Sequence, residues 1–85
     1  MIFLDVRSRQ EFEQGHVPGA RHLPFWKAAL AASVLPSRDE PVTVYCGHGP
    51  RAWMAAAVLK ALGYRRVSLL AGHMRHWRKQ GRPLE

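Results

Sequence analysis

The chain opens on IFLDV at residues 2–6, apolar at every position except Asp5, and such a run predicts a strand buried on both faces. Val42-Thr43-Val44-Tyr45, β-branched and aromatic, predicts a second strand, and Val67 to Leu70 a third. Helix-type stretches separate and follow them. Ser8-Arg9-Gln10-Glu11 is an S-x-x-E capping box, in which each end residue can satisfy a backbone donor of the other, so a short helix should run to about Gln14 and leave through Gly15. His16-Val17-Pro18-Gly19-Ala20 predicts a type II turn. Residues 24–34, PFWKAALAASV, predict an Ala-rich helix with Pro24 in its first turn, Pro36 beyond its end, and Phe25 and Trp26 packed on the core. Arg51 to Leu62 predicts another helix, with Met54, Ala57, Val58, Ala61 and Leu62 on its apolar stripe and Gly63 as its stop. Gly72 should introduce a last helix through Trp77 and Arg78. Strands alternating with helices imply an α/β fold, a small parallel sheet with helices on both faces, in which ligands bind beyond the carboxyl ends of the strands.

At 85 residues the chain has the size of one small domain, 1–85, and its 47% apolar content marks it as globular rather than disordered. MIFLDVRSR has too few apolar residues before its first charge for a signal peptide, and no run approaches the roughly 18 residues of a membrane span, so a cytoplasmic protein without membrane partners is expected. Thirteen Lys and Arg against six Asp and Glu give a net charge of +7, which favours anionic partners. The basic residues gather at Arg65–Arg66 and in a tail of Arg75, Arg78, Lys79 and Arg82, either simply solvated or attracting small anions. No nucleic-acid partner is expected, because no zinc-finger, RNP or helix-turn-helix signature accompanies the charge.

The only cysteine, Cys46, lies in YCGHGPRAW, between a β-type run and a helix-type run. It cannot form an internal disulfide, so its thiol is free to react. The first backbone N–H groups of the following helix are unpaired and, with the helix dipole, favour negative charge there, which suits a thiolate nucleophile. Gly47 and Gly49 can take positive φ and turn successive amides inward as an anion nest. Pro50 fits the first helical position but removes one donor from that nest. Arg51 can either bring its guanidinium to an oxyanion or pair with a carboxylate such as Asp5, and His48 at the loop apex can either touch substrate or face solvent. The opposing reading is an inert buried thiol, against which the strand end, the glycines and the helix start all count. His73 and His76 have helical i,i+3 spacing, but no carboxylate or cysteine follows at ligand spacing, so no metal site is expected.

With these residues in place, the chain resembles the rhodanese-like family of sulfurtransferases over nearly its whole length. FLDVRSRQEFEQGHVPGARHLP is similar to that family's D-V-R…E-F…G-H-I-P-G-A signature, carried here by Asp5, Val6, Arg7, Glu11, Phe12, Gly15, His16, Pro18, Gly19 and Ala20. YCGHGPRAWMAAAVLKALGY resembles its active loop and following helix, and LLAGHMRHW its L-x-G-G…W ending. The resemblance implies that Cys46 takes a sulfane sulfur from a small anionic donor such as thiosulfate, becomes a persulfide, and passes the sulfur to a thiophilic acceptor such as cyanide or a thiol. Gly47, His48, Gly49, Pro50 and Arg51 would form the substrate loop, with no metal or cofactor required. Asp5 and Arg7 are expected to be buried structural groups near the site.

Two departures from the family pattern stand out. His73 replaces the second glycine of the ending motif, which should narrow the rim of the pocket, and the strand and helix that usually precede D-V-R are missing, which should leave a sheet edge exposed. Phosphatases and arsenate reductases of the same fold carry a longer C-x-x-x-x-x-R loop, whereas only four residues separate Cys46 from Arg51, which favours sulfur. Binding modules of the family often lack the cysteine that this chain keeps. A carrier loaded by a protein persulfide donor would use the same thiol.

Overall fold

The computed structural model describes residues 1–47 and 49–85. Four strands, β1 (Ile2–Asp5), β2 (Arg21–His22), β3 (Val42–Tyr45) and β4 (Val67–Leu69), form a parallel sheet in the order β2-β1-β3-β4 among the described residues. The helices are α1 (Arg9–Glu13), α2 (Pro50–Ala61) and α3 (His73–Lys79), with a 3₁₀ segment at Phe25–Ser33. This is the expected α/β architecture. The two-residue β2 was not anticipated; Leu4 pairs with Arg21 and Asp5 with His22, a match made by the sheet rather than by any local β pattern.

Alternation along β3 divides the core in two. Val42, Val44 and Cys46 face a large cluster with Leu4, Val6, Ala52, Ala55, Leu59 and Tyr64, under α2 and the 3₁₀ segment. Tyr45 faces a smaller cluster with Val17 and Met74, joined by Phe3 and Trp77, so α3 covers the other side.

The local signals were largely realised. Ser8 and Glu11 form the reciprocal capping box of α1. Gly19, at φ +79°, occupies the turn position that requires a positive φ, closed by the Ala20 N–H donating to the Val17 carbonyl at 3.0 Å. Pro50 is the first residue of α2, and α2 ends in a Schellman arrangement. There Gly63 at φ +96° lets the Tyr64 N–H reach the Leu59 carbonyl and its own N–H reach that of Lys60, both at 3.1 Å.

Two expectations fail for definable reasons. Residues 25–33 form a 3₁₀ helix with a break at Leu30 instead of an α-helix. Within the segment, Phe25, Ala28 and Ala31 touch the core, and a spacing of three suits three residues per turn. Trp26, one position on, is therefore 61% exposed rather than packed. On α2 the buried stripe is Ala52, Ala55, Ala56 and Leu59, while Met54 lies exposed. This helix is apolar almost all round, so periodicity did not select a face, and the alanine side is the one that can approach the sheet closely.

β4 is an open edge. Val42 donates to the Arg66 carbonyl at 2.8 Å and Leu70 to the Val44 carbonyl at 3.1 Å, so Val67 and Leu69 turn their peptide groups away from the sheet. Trp53, Ala56, Lys60, Val67 and Leu69 line a groove beside that edge.

Candidate active site

Cys46 follows β3 at its carboxyl end, and β3 is flanked on both sides, by β1 and β4. The residue is wholly buried, and its Sγ accepts a hydrogen bond from the Gly49 N–H at 3.0 Å. A reagent must therefore reach the sulfur past the loop. Gly49 caps α2 at φ +138° and ψ −52°, a backbone that a side chain would strain. Behind it, the amides of Arg51 and Ala52 belong to the first turn of α2 and have no carbonyl within the helix to bond. Among the described residues, the loop thus gives the sulfur a direct donor at Gly49 and the positive end of a twelve-residue helix.

Gly47 differs from expectation, since it has no positive φ. What it provides is room: a Cβ there would lie 3.2 Å from Nη2 of Arg51, tighter than ordinary contact. His48, expected at the loop apex, lies outside the described residues.

Arg51 does pair with a carboxylate, but with Glu11 rather than Asp5. Its Nη1 and Nη2 donate to the two oxygens of Glu11 at 2.6 and 3.0 Å. Glu11 also accepts from the Ser8 N–H and hydroxyl at 3.3 and 3.0 Å. One side chain therefore caps α1 and anchors the arginine beside the cysteine loop. The Arg51 hydrogen bonds, assisted by Ser8 and only partly opposed by burial, hold the Glu11 carboxyl at about 2. The same contact raises the Arg51 guanidinium further. Sequence reasoning had given Glu11 only its capping role; its place in the E-F part of the motif was the available signal.

Asp5 and Arg7 are buried together at the end of β1, as expected. Arg7 Nη2 donates to Asp5 Oδ2 at 2.7 Å and to the Gly15 carbonyl at 2.7 Å, while its Nε and backbone N–H reach Asp5 Oδ1 at 3.0 and 2.9 Å. Burial works against the Arg7 charge, but the hydrogen bond and negative charge of Asp5 outweigh it and raise the guanidinium. Tyr45 lies under that guanidinium, 5.8 Å from ring centre to Cζ, and burial followed by the Asp5 charge keeps its hydroxyl protonated far above the ordinary tyrosine range. Phe12 stacks on His16 at 3.7 Å and on His22 at 4.7 Å, which fixes the segment after α1.

The loop is tied to the start of α3. The Met74 and Arg75 amides donate to the Cys46 and Gly47 carbonyls, each at 3.0 Å, and the Cys46 N–H donates to Nδ1 of His73 at 3.3 Å. The sequence placed His73 at the rim of the pocket but did not foresee this bond. Among the described residues, no three His, Cys, Asp or Glu side chains gather where they could hold a metal ion. No helix among them is long and apolar enough to cross a membrane.

This arrangement, a cysteine loop at a parallel strand end braced by the D-V-R and E-F segments, matches one family. The family model described as the rhodanese-like domain covers residues 1–80. The chain belongs to the rhodanese-like family. A sulfurtransferase of Allochromatium vinosum is 34% identical over 84 residues, 99% of this chain and 78% of that protein. The putative sulfur carrier protein YrkF of Bacillus subtilis is 36% identical over 74 residues, but this rhodanese-like chain spans only 40% of its length. Proteins of Escherichia coli and two Pseudomonas species that are named thiosulfate sulfurtransferase are 31% to 36% identical. The crystal structure of a rhodanese-like domain from Anabaena superposes with a TM-score of 0.89 at 30% identity, covering 99% of this chain and 97% of that one.

Proposed function

We propose that the protein is a sulfurtransferase that carries a sulfane sulfur on Cys46, taken from thiosulfate or a persulfide donor and given to a thiophilic acceptor such as cyanide or a thiol. The observation that carries this reading is the Gly49 N–H aimed at Cys46 Sγ at 3.0 Å, at the N-terminus of α2. In the first step the Cys46 thiolate attacks the outer sulfur of thiosulfate. The new S–S bond forms as the old one breaks, and sulfite leaves with the bonding electron pair. In the second step the acceptor attacks that outer sulfur and the Cys46 thiolate departs, so two displacements close the cycle without an external oxidant or reductant. The amide at Gly49 and the helix end stabilise negative sulfur in both resting forms. Gly47 leaves space for Arg51, Pro50 starts the helix, and Arg51 adds positive charge at the loop. The site needs no metal or cofactor for these steps.

Loading by a protein persulfide donor is the second reading. It is favoured by Arg75, Arg78 and Lys79, exposed on the helix that is hydrogen-bonded to the cysteine loop, a basic surface for an acidic partner. We place the protein in the cytoplasm, where a single thiol stays reduced between turnovers.

Intact mass measurement after incubating the reduced protein with thiosulfate tests the first reading. The expected result is a gain of about 32 Da, one sulfur on the thiol, reversed by cyanide and absent in Cys46→Ser. No gain with thiosulfate would overturn thiosulfate as donor, and turnover retained in Cys46→Ser would overturn the mechanism.

A further inference from the structure

His73 is the one non-glycine residue with positive φ among the described residues, at +54°. It follows Gly72, itself at φ +71°, and is nearly fully buried at the first position of α3. Left-handed backbone is costly for a side-chain-bearing residue, although histidine tolerates it better than most, so such a conformation is kept where the surroundings enforce it. Here the surroundings are the cysteine loop. Nδ1 of His73 accepts the Cys46 N–H at 3.3 Å, which assigns the ring proton to Nε2 in the neutral imidazole. Nε2 in turn lies 3.6 Å from where a Cβ on Gly49 would sit, so the opposite edge of the ring backs the residue whose N–H holds Cys46 Sγ. One imidazole therefore bonds the loop at the nucleophile and lies beside it again three residues later. The adjacent amides of Met74 and Arg75 reinforce it through the Cys46 and Gly47 carbonyls.

We propose that His73 is a positioning residue for sulfur transfer, its neutral Nε2–H tautomer bracing Cys46 and Gly49 so that the sulfur and its amide donor stay aligned. The inference rests on reading Cys46 as the sulfur-carrying nucleophile. It also explains why a bulky residue occupies a backbone position that would suit glycine. A glycine there would relax the backbone but leave the buried Cys46 N–H without its acceptor.

Three substitutions separate positioning from space-filling. His73→Asn puts a carbonyl oxygen on the same carbon position as Nδ1, and asparagine accepts positive φ, so this variant keeps the bond to Cys46. His73→Gly keeps the backbone and loses the bond. His73→Gln places its oxygen one atom further out and loses it too. Sulfur uptake from thiosulfate, followed by mass in single turnover, should fall about tenfold in His73→Gly and His73→Gln, as misplacement of a reacting group does, and stay within about threefold of the parent in His73→Asn. Parental uptake in His73→Gly, or rescue by Gln in place of Asn, would overturn the proposal. ¹⁵N NMR of the ring provides a readout independent of turnover. A protonated Nε2 and an unprotonated Nδ1 are expected, and the opposite tautomer would overturn the bracing role. If the parent takes up no sulfur from thiosulfate, the donor assignment fails, while the ring tautomer still decides the part played by His73.

Discussion

Two carboxylate–arginine pairs flank the cysteine loop, and they differ in burial and in the stretches of chain they join. Asp5 and Arg7 are 0% and 4% exposed, whereas Glu11 and Arg51 are 37% and 27% exposed. Both arginines grip both oxygens of their partner. The buried pair is two residues apart in sequence, and Arg7 spends a further donor on the Gly15 carbonyl, so it ties the end of β1 to the exit of α1. The surface pair spans 40 residues and joins α1 to the start of α2, beside the loop. The same chemistry thus serves as a fixed structural tie in one case and as a solvent-modulated support for the cysteine loop in the other. Desolvation explains the difference: removing one partner of a buried pair strands a charge, while water compensates at the surface.

The sharpest way to break the comparison is Asp5→Ala. It leaves Arg7 buried without its counter-charge and should cost about 3–5 kcal/mol in urea unfolding. An effect below about 1 kcal/mol, the surface range, would mean the two pairs are equivalent after all. Replacing both partners, Asp5→Leu with Arg7→Met, should recover much of that loss, because no charge is then stranded.

Arg51→Ala should cost less than about 1 kcal/mol of stability, yet raise the thiosulfate KM severalfold, since it removes the positive charge at the loop. An unchanged KM would leave Arg51 with only its tie to α1.

The smallest effect is a pH dependence. Glu11 titrates at about 2 in the folded protein against an ordinary value of 4.5, so the unfolded chain binds its proton first as pH falls. The stabilisation from this group is therefore fully present above about pH 5 and is lost as pH drops through the folded value near 2. With Glu11 more than a third exposed, solvent screening keeps the amount below about 1 kcal/mol. Unfolding measured between pH 6 and pH 2 should show a shallower decline in Glu11→Gln than in the parent; identical slopes would remove Glu11 as the source.

The sequence alone determined whatever is settled within one or two turns of chain. The β-type runs, the Ser8–Glu11 capping box, the Pro18–Gly19 turn, Pro50 at a helix start and Gly63 at a helix end all depend on neighbours a few residues away, and each formed where its pattern stood. The strand–loop–helix context of Cys46 was legible for the same reason. Tertiary structure decided the rest, because those choices compare partners that the chain brings together only on folding. It turned the alanine face of α2 inward, made a 3₁₀ helix where a three-residue core spacing had to be met, and paired Arg21–His22 with the end of β1. It also gave Arg51 to Glu11 and the Cys46 amide to His73, 27 residues away. A local pattern limits what a segment can be, but which of several acceptable partners it meets is set by the summed packing and desolvation of the whole fold.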